Sequence, residues 1–173
     1  NTAVGAYSLD ATVDGVRNTA VGSGSLSADA ADDNTALGYS ALNAFTGSDS
    51  TAVGAYAADV VVDALRLTAV GYDALGVAVS NADCTAIGYG ALDAATGGNS
   101  NTAVGSYALS NTVDGTRNTS VGYNSMNADC ENDNTAVGNA ALAGFTGSNA
   151  TAVGSGAADV AVGNASLTAV GKN

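Results

Sequence analysis

Hydrophobic positions along this chain come in runs of four or fewer, broken by Gly, Asn or Asp, and the runs recur at a nearly fixed interval. Each interval opens on Thr-Ala-Val-Gly or a close variant, beginning at Thr2, Thr19, Thr35, Thr51, Thr68, Thr85, Thr102, Thr119, Thr135, Thr151 and Thr168. Successive starts are therefore sixteen or seventeen positions apart. Thr and Gly stand in all eleven copies; Ala gives way only to Ser120, and Val only to Leu37 and Ile87. From each Thr an apolar residue lies two positions on and another, usually Leu, seven positions on, as in Val4 with Leu9, Leu37 with Leu42, Val104 with Leu109 and Val121 with Met126. Self-similarity at a period this short points to a solenoid, because helix-pair repeats need about 33 residues. Short β-branched runs punctuated by Gly and Asn or Asp read as strands and tight turns.

The expectation is therefore an all-β chain: one β-solenoid, a parallel β-roll or β-helix of eleven coils, one for each Thr. Each coil is expected to hold two or three short strands paired with their copies above and below at roughly 4.8 Å, so that the rungs span on the order of 50 Å. Strand alternation puts Thr and Val on one face and the intervening Ala on the other. The expected assignment turns Val and Leu inward, with small residues such as Ala41, Ala74 and Ala108 closing a thin core, and leaves a flat outward row of Ala. The Thr hydroxyl then needs a backbone group or the Thr one rung away as a partner. Turns are expected at Asp14-Gly15, Thr46-Gly47, Thr96-Gly97, Asp114-Gly115 and Thr146-Gly147, with Gly supplying positive φ. Asn precedes the Thr in six coils, at Asn1, Asn18, Asn34, Asn101, Asn118 and Asn134. Those amides read either as a hydrogen-bonded ladder or as turn residues that tolerate left-handed geometry.

A longer order lies over the short one. The spacing sequence restarts after 100 residues: Asn1 to Gly5 matches Asn101 to Gly105, Thr12-Val13-Asp14-Gly15 returns as Thr112-Val113-Asp114-Gly115, and Phe45-Thr46-Gly47-Ser48 as Phe145-Thr146-Gly147-Ser148. Residues 1–173 thus read as a single solenoid of two blocks, 1–100 and an incomplete 101–173. Neither end carries an atypical capping sequence of the kind that closes a solenoid, which suggests a section of a longer array or a unit that stacks end to end.

Charge and chemistry narrow the function. The net charge is −12, with only Arg17, Arg66, Arg117 and Lys172 basic, so there is no basic patch for nucleic acid or for an anionic membrane. No apolar run approaches the roughly 20 residues that cross a bilayer. With no His, one Glu (Glu131) and two Cys at different phases of the repeat, the usual acid–base, nucleophile and zinc constellations cannot be assembled, and no enzymatic activity is expected. Cys84 and Cys130 read as free, small and buried, because their phases do not allow the close approach of a disulfide. Asp32 with Asp33, and Asn132 with Asp133, are the candidates for paired-carboxylate glycoside chemistry, but they sit at turns where Asp is favoured locally. No cofactor is expected. Calcium is the metal that the composition leaves open, since 15 Asp (16 acidic residues less Glu131) at turns could line up carboxylates. Asp10, Asp29, Asp49, Asp63, Asp73 and Asp83 form no constant column, however, and the Gly-Gly-x-Gly-x-Asp signature of calcium β-rolls is missing. Asn118-Thr119-Ser120, Asn149-Ala150-Thr151 and Asn164-Ala165-Ser166 match the glycosylation sequon, as a chain this rich in Asn, Ser and Thr will by chance.

Seven Tyr fall in two adjacent columns just after the recurring Gly: Tyr39, Tyr72, Tyr89 and Tyr123 in one, Tyr7, Tyr56 and Tyr107 in the next. They read either as an aromatic contact column for sugar rings or a neighbouring rod, or as edge packing over the Gly.

Asn-Thr-Ala-Val-Gly-x-x-Ala-Leu, as in Asn101 to Leu109, followed by Thr-Gly and a further copy, resembles the repeats of bacterial and phage tail-fibre-like proteins. More distantly it is similar to the Ser-Val-Ala-Ile-Gly repeats of YadA-type trimeric autotransporter adhesin heads. The resemblance covers the whole chain and implies parallel β-rolls that assemble as trimers and form adhesive fibres. The expected function is a structural segment of an extracellular fibre, filament or adhesin at a cell or virion surface, self-assembling as a homo-oligomer or end-to-end polymer and attaching to a host surface or glycan. The alternative is an ice-binding or glycan-binding solenoid using the Thr ladder or the Tyr column. Were the alternation inverted, with Thr and Val outside, the ladder would resemble insect-type ice-binding solenoids, at the cost of the core's main apolar column. Thr85→Tyr separates the two arrangements, being disruptive only if Thr is buried.

Overall fold

The computed structural model describes residues 1–77, 82–159 and 166–171. Among them eleven three-residue strands stack in chain order: β1 (Thr2–Val4), β2 (Thr19–Val21), β3 (Thr35–Leu37), β4 (Thr51–Val53), β5 (Thr68–Val70), β6 (Thr85–Ile87), β7 (Thr102–Val104), β8 (Thr119–Val121), β9 (Thr135–Val137), β10 (Thr151–Val153) and β11 (Thr168–Val170). They form one parallel sheet, β1 through β11 in sequence order. Every pairing is in register, Thr on Thr and Ala on Ala, with Ser120 standing between Ala103 and Ala136. The β-solenoid is thus the architecture of the chain.

Each described coil holds one strand rather than two or three. After the strand the backbone enters left-handed geometry twice within three residues, as at Ser40 (φ 54°) and Leu42 (φ 51°), or Tyr107 (φ 57°) and Leu109 (φ 53°). Extended pairing cannot continue through such residues. The coils are still stitched together there by rung-to-rung bonds: Leu26 N–H donates to the Ala41 carbonyl at 3.0 Å, and Leu42 N–H to that of Ala57 at 3.0 Å. Among the described residues the one addition outside the sheet is an isolated bridge between Ser48 and Leu65.

The interior is the reverse of the expected one along the strand. Ala20, Ala36, Ala52, Ala69, Ala86, Ala103, Ala136 and Ala152 are fully enclosed, whereas Val4, Leu37, Ile87, Val121, Val137 and Val153 are exposed. The expected outward Ala row is an inward one. Leu seven residues past the Thr is inside as expected: Leu26, Leu42, Leu75, Leu92, Leu109, Leu142 and, in its place, Met126 are all buried. The physical reason is the thinness of the coil. The strand faces its own turn directly, so that the Ser120 hydroxyl reaches across to the carbonyl of Ser125 at 2.9 Å. A section already filled by Leu leaves room opposite for a methyl or hydroxymethyl group and nothing larger. Phe45 and Phe145 fill the remaining corner in the two equivalent coils.

The glycines also play other roles than expected. None of Gly15, Gly47, Gly97 and Gly115 takes positive φ. Three of them mark places where another backbone comes close: a Cβ on Gly15 would lie 2.7 Å from the Ala31 carbonyl oxygen, one on Gly47 2.9 Å from the Ala64 carbonyl carbon, and one on Gly115 2.6 Å from the Glu131 carbonyl oxygen. Positive φ instead falls on the Gly that ends each strand, on the left-handed residues that follow it, and on the residue before each internal Asn, such as Arg17 (φ 60°) and Asp133 (φ 62°).

Candidate functional site: the outer columns

Because the strand turns its Ala inward, Thr and Val are the outward pair, and in-register stacking converts them into two parallel columns that run through all eleven strands. Neighbouring side chains in a column stand one rung apart, about 4.8 Å, and the two columns are about 7 Å apart across the strand. The Val column is apolar without interruption, with Leu37 47% and Val153 42% exposed. The expected partner for the Thr hydroxyl is missing: among the described residues none of the eleven Thr hydroxyls bonds to a protein group, and none of them is buried and unsatisfied. No charged residue interrupts either column.

Beside the Thr column runs another, buried at every Asn but Asn1. The six Asn amides form a ladder, the first of the two readings, although the bonds run to backbone rather than from amide to amide. Asn118 shows the pattern: its Oδ1 accepts from Asn134 N–H at 2.9 Å, and its Nδ2 donates to the Glu131 carbonyl at 2.7 Å. Asn18 and Asn34 repeat it, Nδ2 of Asn18 reaching the Ala31 carbonyl at 2.7 Å and Oδ1 of Asn34 receiving Ser50 N–H at 3.0 Å. The left-handed residue belongs to the position before, so the turn reading of Asn does not hold.

That preceding position carries three of the four basic residues. Arg17, Arg66 and Arg117 each reach the acid one coil on, Asp33 at 2.6 Å, Asp83 at 2.5 Å and Asp133 at 2.6 Å. The guanidinium holds each of those carboxyls below the usual carboxylate range, first through the hydrogen bond to it. All three pairs are solvent-exposed and contribute little to stability. The candidate glycosidase residues are engaged in this way or at turns: Asp33 and Asp133 in the ion pairs, Asp32 bonded to Arg17 at 3.2 Å and accepting Val16 N–H at 3.0 Å, and Asn132 accepting Thr116 N–H at 2.8 Å. Lys172 and the Asn164-Ala165 part of the third sequon lie outside the described residues.

On the Val side, past the Gly, the two Tyr columns merge into one ladder. Tyr39, Tyr56, Tyr72, Tyr89, Tyr107 and Tyr123 come from six successive coils with ring centroids 5.2, 5.6, 5.4, 5.2 and 6.4 Å apart. Neighbours from different columns meet edge to face, whereas Tyr72 and Tyr89, from the same column, lie parallel within 9°. Tyr7 stands outside the ladder, since coil two carries Ser23 and Gly24 at the corresponding places. Burial and the adjacent rings push the Tyr56 phenol up. Bonding to Tyr89, with burial, does the same for Tyr107. Beside the ladder Asp59, Asp73 and Asp93 approach one another: partial burial, then mutual repulsion, raises the pKa of Asp59 and Asp93. Asp93 Oδ1 has no hydrogen-bond partner.

Cys84 and Cys130 are free and buried, and burial pushes both thiols up. Cys84 takes an Asn place in the ladder and bonds to the Gly98 carbonyl at 3.4 Å. Among the described residues no group of three or more His, Cys, Asp or Glu is placed to hold a metal ion, and no helix is long and apolar enough to cross a membrane. Comparison with known proteins found no matching family model, no matching curated protein and no matching solved structure.

Proposed function

We propose that the chain is a shaft segment of a self-assembling fibre or adhesin, and that copies associate side by side through the outward Thr and Val columns. The observation that carries this reading is the uncharged, in-register strip of exposed Val and Thr. Eleven rungs by a two-column width give on the order of 500 Å², the size of the largest exposed apolar patch on an ordinary monomer and one that marks an interaction site. Two rods in flat contact would cover only this strip, about 1,000 Å² in all, at the low end for a specific complex. Three parallel rods about a common axis close the strips on one another and draw in the flanking columns. Thr hydroxyls left unused by the fold then find partners across the interface, which supports the trimer implied by the resemblance to tail-fibre and adhesin-head repeats.

Light scattering tests the reading. The wild-type chain is expected at a discrete multiple of its 16.5 kDa mass, and Leu37→Asp with Val121→Asp, which lie in coils that do not touch, as a single folded rod with unchanged circular dichroism. Like charges brought together at an interface cost several kcal/mol, while at these outward, separated strand positions the monomer loses about 1 kcal/mol at each. A wild-type chain that stays monomeric overturns it.

One observation favours ice binding as a second reading. The first strand position never departs from Thr, although Val or Ile would serve a strand equally well, and a hydroxyl-and-methyl array repeated without variation suits a periodic solid. The core no longer argues against it, because Leu and Ala fill the interior without Val on the strand. If the monomer arrests ice growth and Thr85→Tyr abolishes that activity while the fold persists, the second reading replaces the first.

A further inference from the structure

The oxidisable side chains of this protein are distributed unevenly. Trp and His are absent, Cys84, Cys130 and Met126 are enclosed, and the burial-raised thiols carry little thiolate. What an oxidant meets at the surface is tyrosine, and six of the seven form the continuous ladder. Its ends are its most exposed members, Tyr123 at 56% and Tyr39 at 53%. Its centre is the one parallel pair, Tyr72 and Tyr89, with centroids 5.4 Å apart.

We propose that the ladder is an oxidative modification site, at which hydrogen peroxide acting through a haem peroxidase couples Tyr72 to Tyr89 as a dityrosine within one chain. Each phenol gives up one electron to the oxidant and its hydroxyl proton to water. The two phenoxyl radicals join through ring carbons ortho to the oxygens, and the hydrogen on each of those carbons moves to the phenol oxygen as aromaticity returns. Two electrons and two protons leave in total, and one peroxide takes them up to become two waters. Oxidation enters at an exposed end and passes inward, because each ring lies within 6.4 Å of the next. It settles at the centre for two reasons. The rings of Tyr72 and Tyr89 lie parallel with centroids 5.4 Å apart, while the pairs on either side meet edge to face and hold their π orbitals nearly at right angles to one another. Tyr56 and Tyr107, which flank the pair, hold their protons more tightly than an ordinary phenol. The product links successive coils covalently and closes a loop one full coil long. That constrains the unfolded chain as a disulfide does.

The coupling requires no second molecule, so the yield per chain is independent of dilution, as for any intramolecular step. The experiment treats dilute protein with peroxidase and peroxide, reads the blue dityrosine fluorescence, and maps the crosslinked peptides by mass spectrometry. The expected result is an intrachain Tyr72–Tyr89 link, loss of most of the fluorescence in Tyr72→Phe or Tyr89→Phe, and no loss in Tyr7→Phe. Phe keeps the ring, so each variant folds. Exposure alone would select Tyr7, which is 71% exposed. A product centred on Tyr7, a product found only between chains, or no dityrosine at all overturns the proposal. Interchain links alone would still be compatible with side-by-side rods, so this result and the assembly state are read separately.

Discussion

Gly105→Ala is expected to unfold the coils around it, at a cost of about 3 kcal/mol or more. Gly105 ends β7 at φ 135°, and a Cβ there would lie 2.6 Å from the carbonyl carbon of Gly122 in the next coil. The variant meets two penalties: a backbone conformation that L-residues rarely adopt, worth roughly 1–3 kcal/mol, and a backbone clash that no rotamer relieves. Gly5 shows the same approach, its added Cβ meeting the Gly22 carbonyl carbon at 2.7 Å, so the contact belongs to the repeat. Denaturant unfolding followed by circular dichroism checks it. A midpoint equal to that of wild type would mean that the coils are not stacked this closely.

The second large effect is expected at Asn118→Ala. Truncation leaves the buried Asn134 N–H without its 2.9 Å acceptor, and the Glu131 carbonyl loses its 2.7 Å donor but keeps Asn134 Nδ2 at 3.4 Å. The bond from Asn118 N–H to Asn101 Oδ1 starts from the backbone and survives. A buried N–H left unpaired costs about 1–3 kcal/mol, which is the loss expected, with amide exchange quickening first in the two adjoining coils. In a stacked array each coil touches only its neighbours, so damage should stay local before it spreads. Asn118→Asp offers the contrast: it keeps the acceptor to Asn134 and loses only the donor. Burial raises the pKa of such an acid, so this variant should become less damaging as the pH falls and the carboxyl takes up a proton it can donate.

The architecture was legible because a period this short, read eleven times along the chain, leaves no helical repeat that fits it. Which side of the strand lay inside was not, because alternation says which residues share a face and is silent on which face is enclosed. A signal was nevertheless present. The middle position varies only from Ala to Ser120, whereas the third accepts the larger Leu37 and Ile87. Enclosed sites resist added volume more than open ones do, and that rule points to Ala as the buried residue. The Tyr ladder was missed for a different reason: Tyr56 and Tyr107 lie one residue off the column of Tyr39, Tyr72, Tyr89 and Tyr123, and only left-handed geometry at Tyr56 and Tyr107 swings those rings into line. The Asn ladder was readable as one of two options. The structure decides between them by placing positive φ on the preceding residue.

The face assignment and the proposed assembly meet in a single side chain, Thr102, near the middle of the outward column. Thr102→Cys places a thiol on the face proposed to join the rods, in a chain whose own Cys84 and Cys130 are buried. Mild oxidation followed by non-reducing electrophoresis should give disulfide-linked pairs from Thr102→Cys and none from Asp63→Cys on another surface, with reductant restoring the single chain. If Thr102→Cys stays uncrosslinked at concentrations where light scattering shows an assembly, or if the two variants crosslink equally, the Thr and Val face is not where the copies meet.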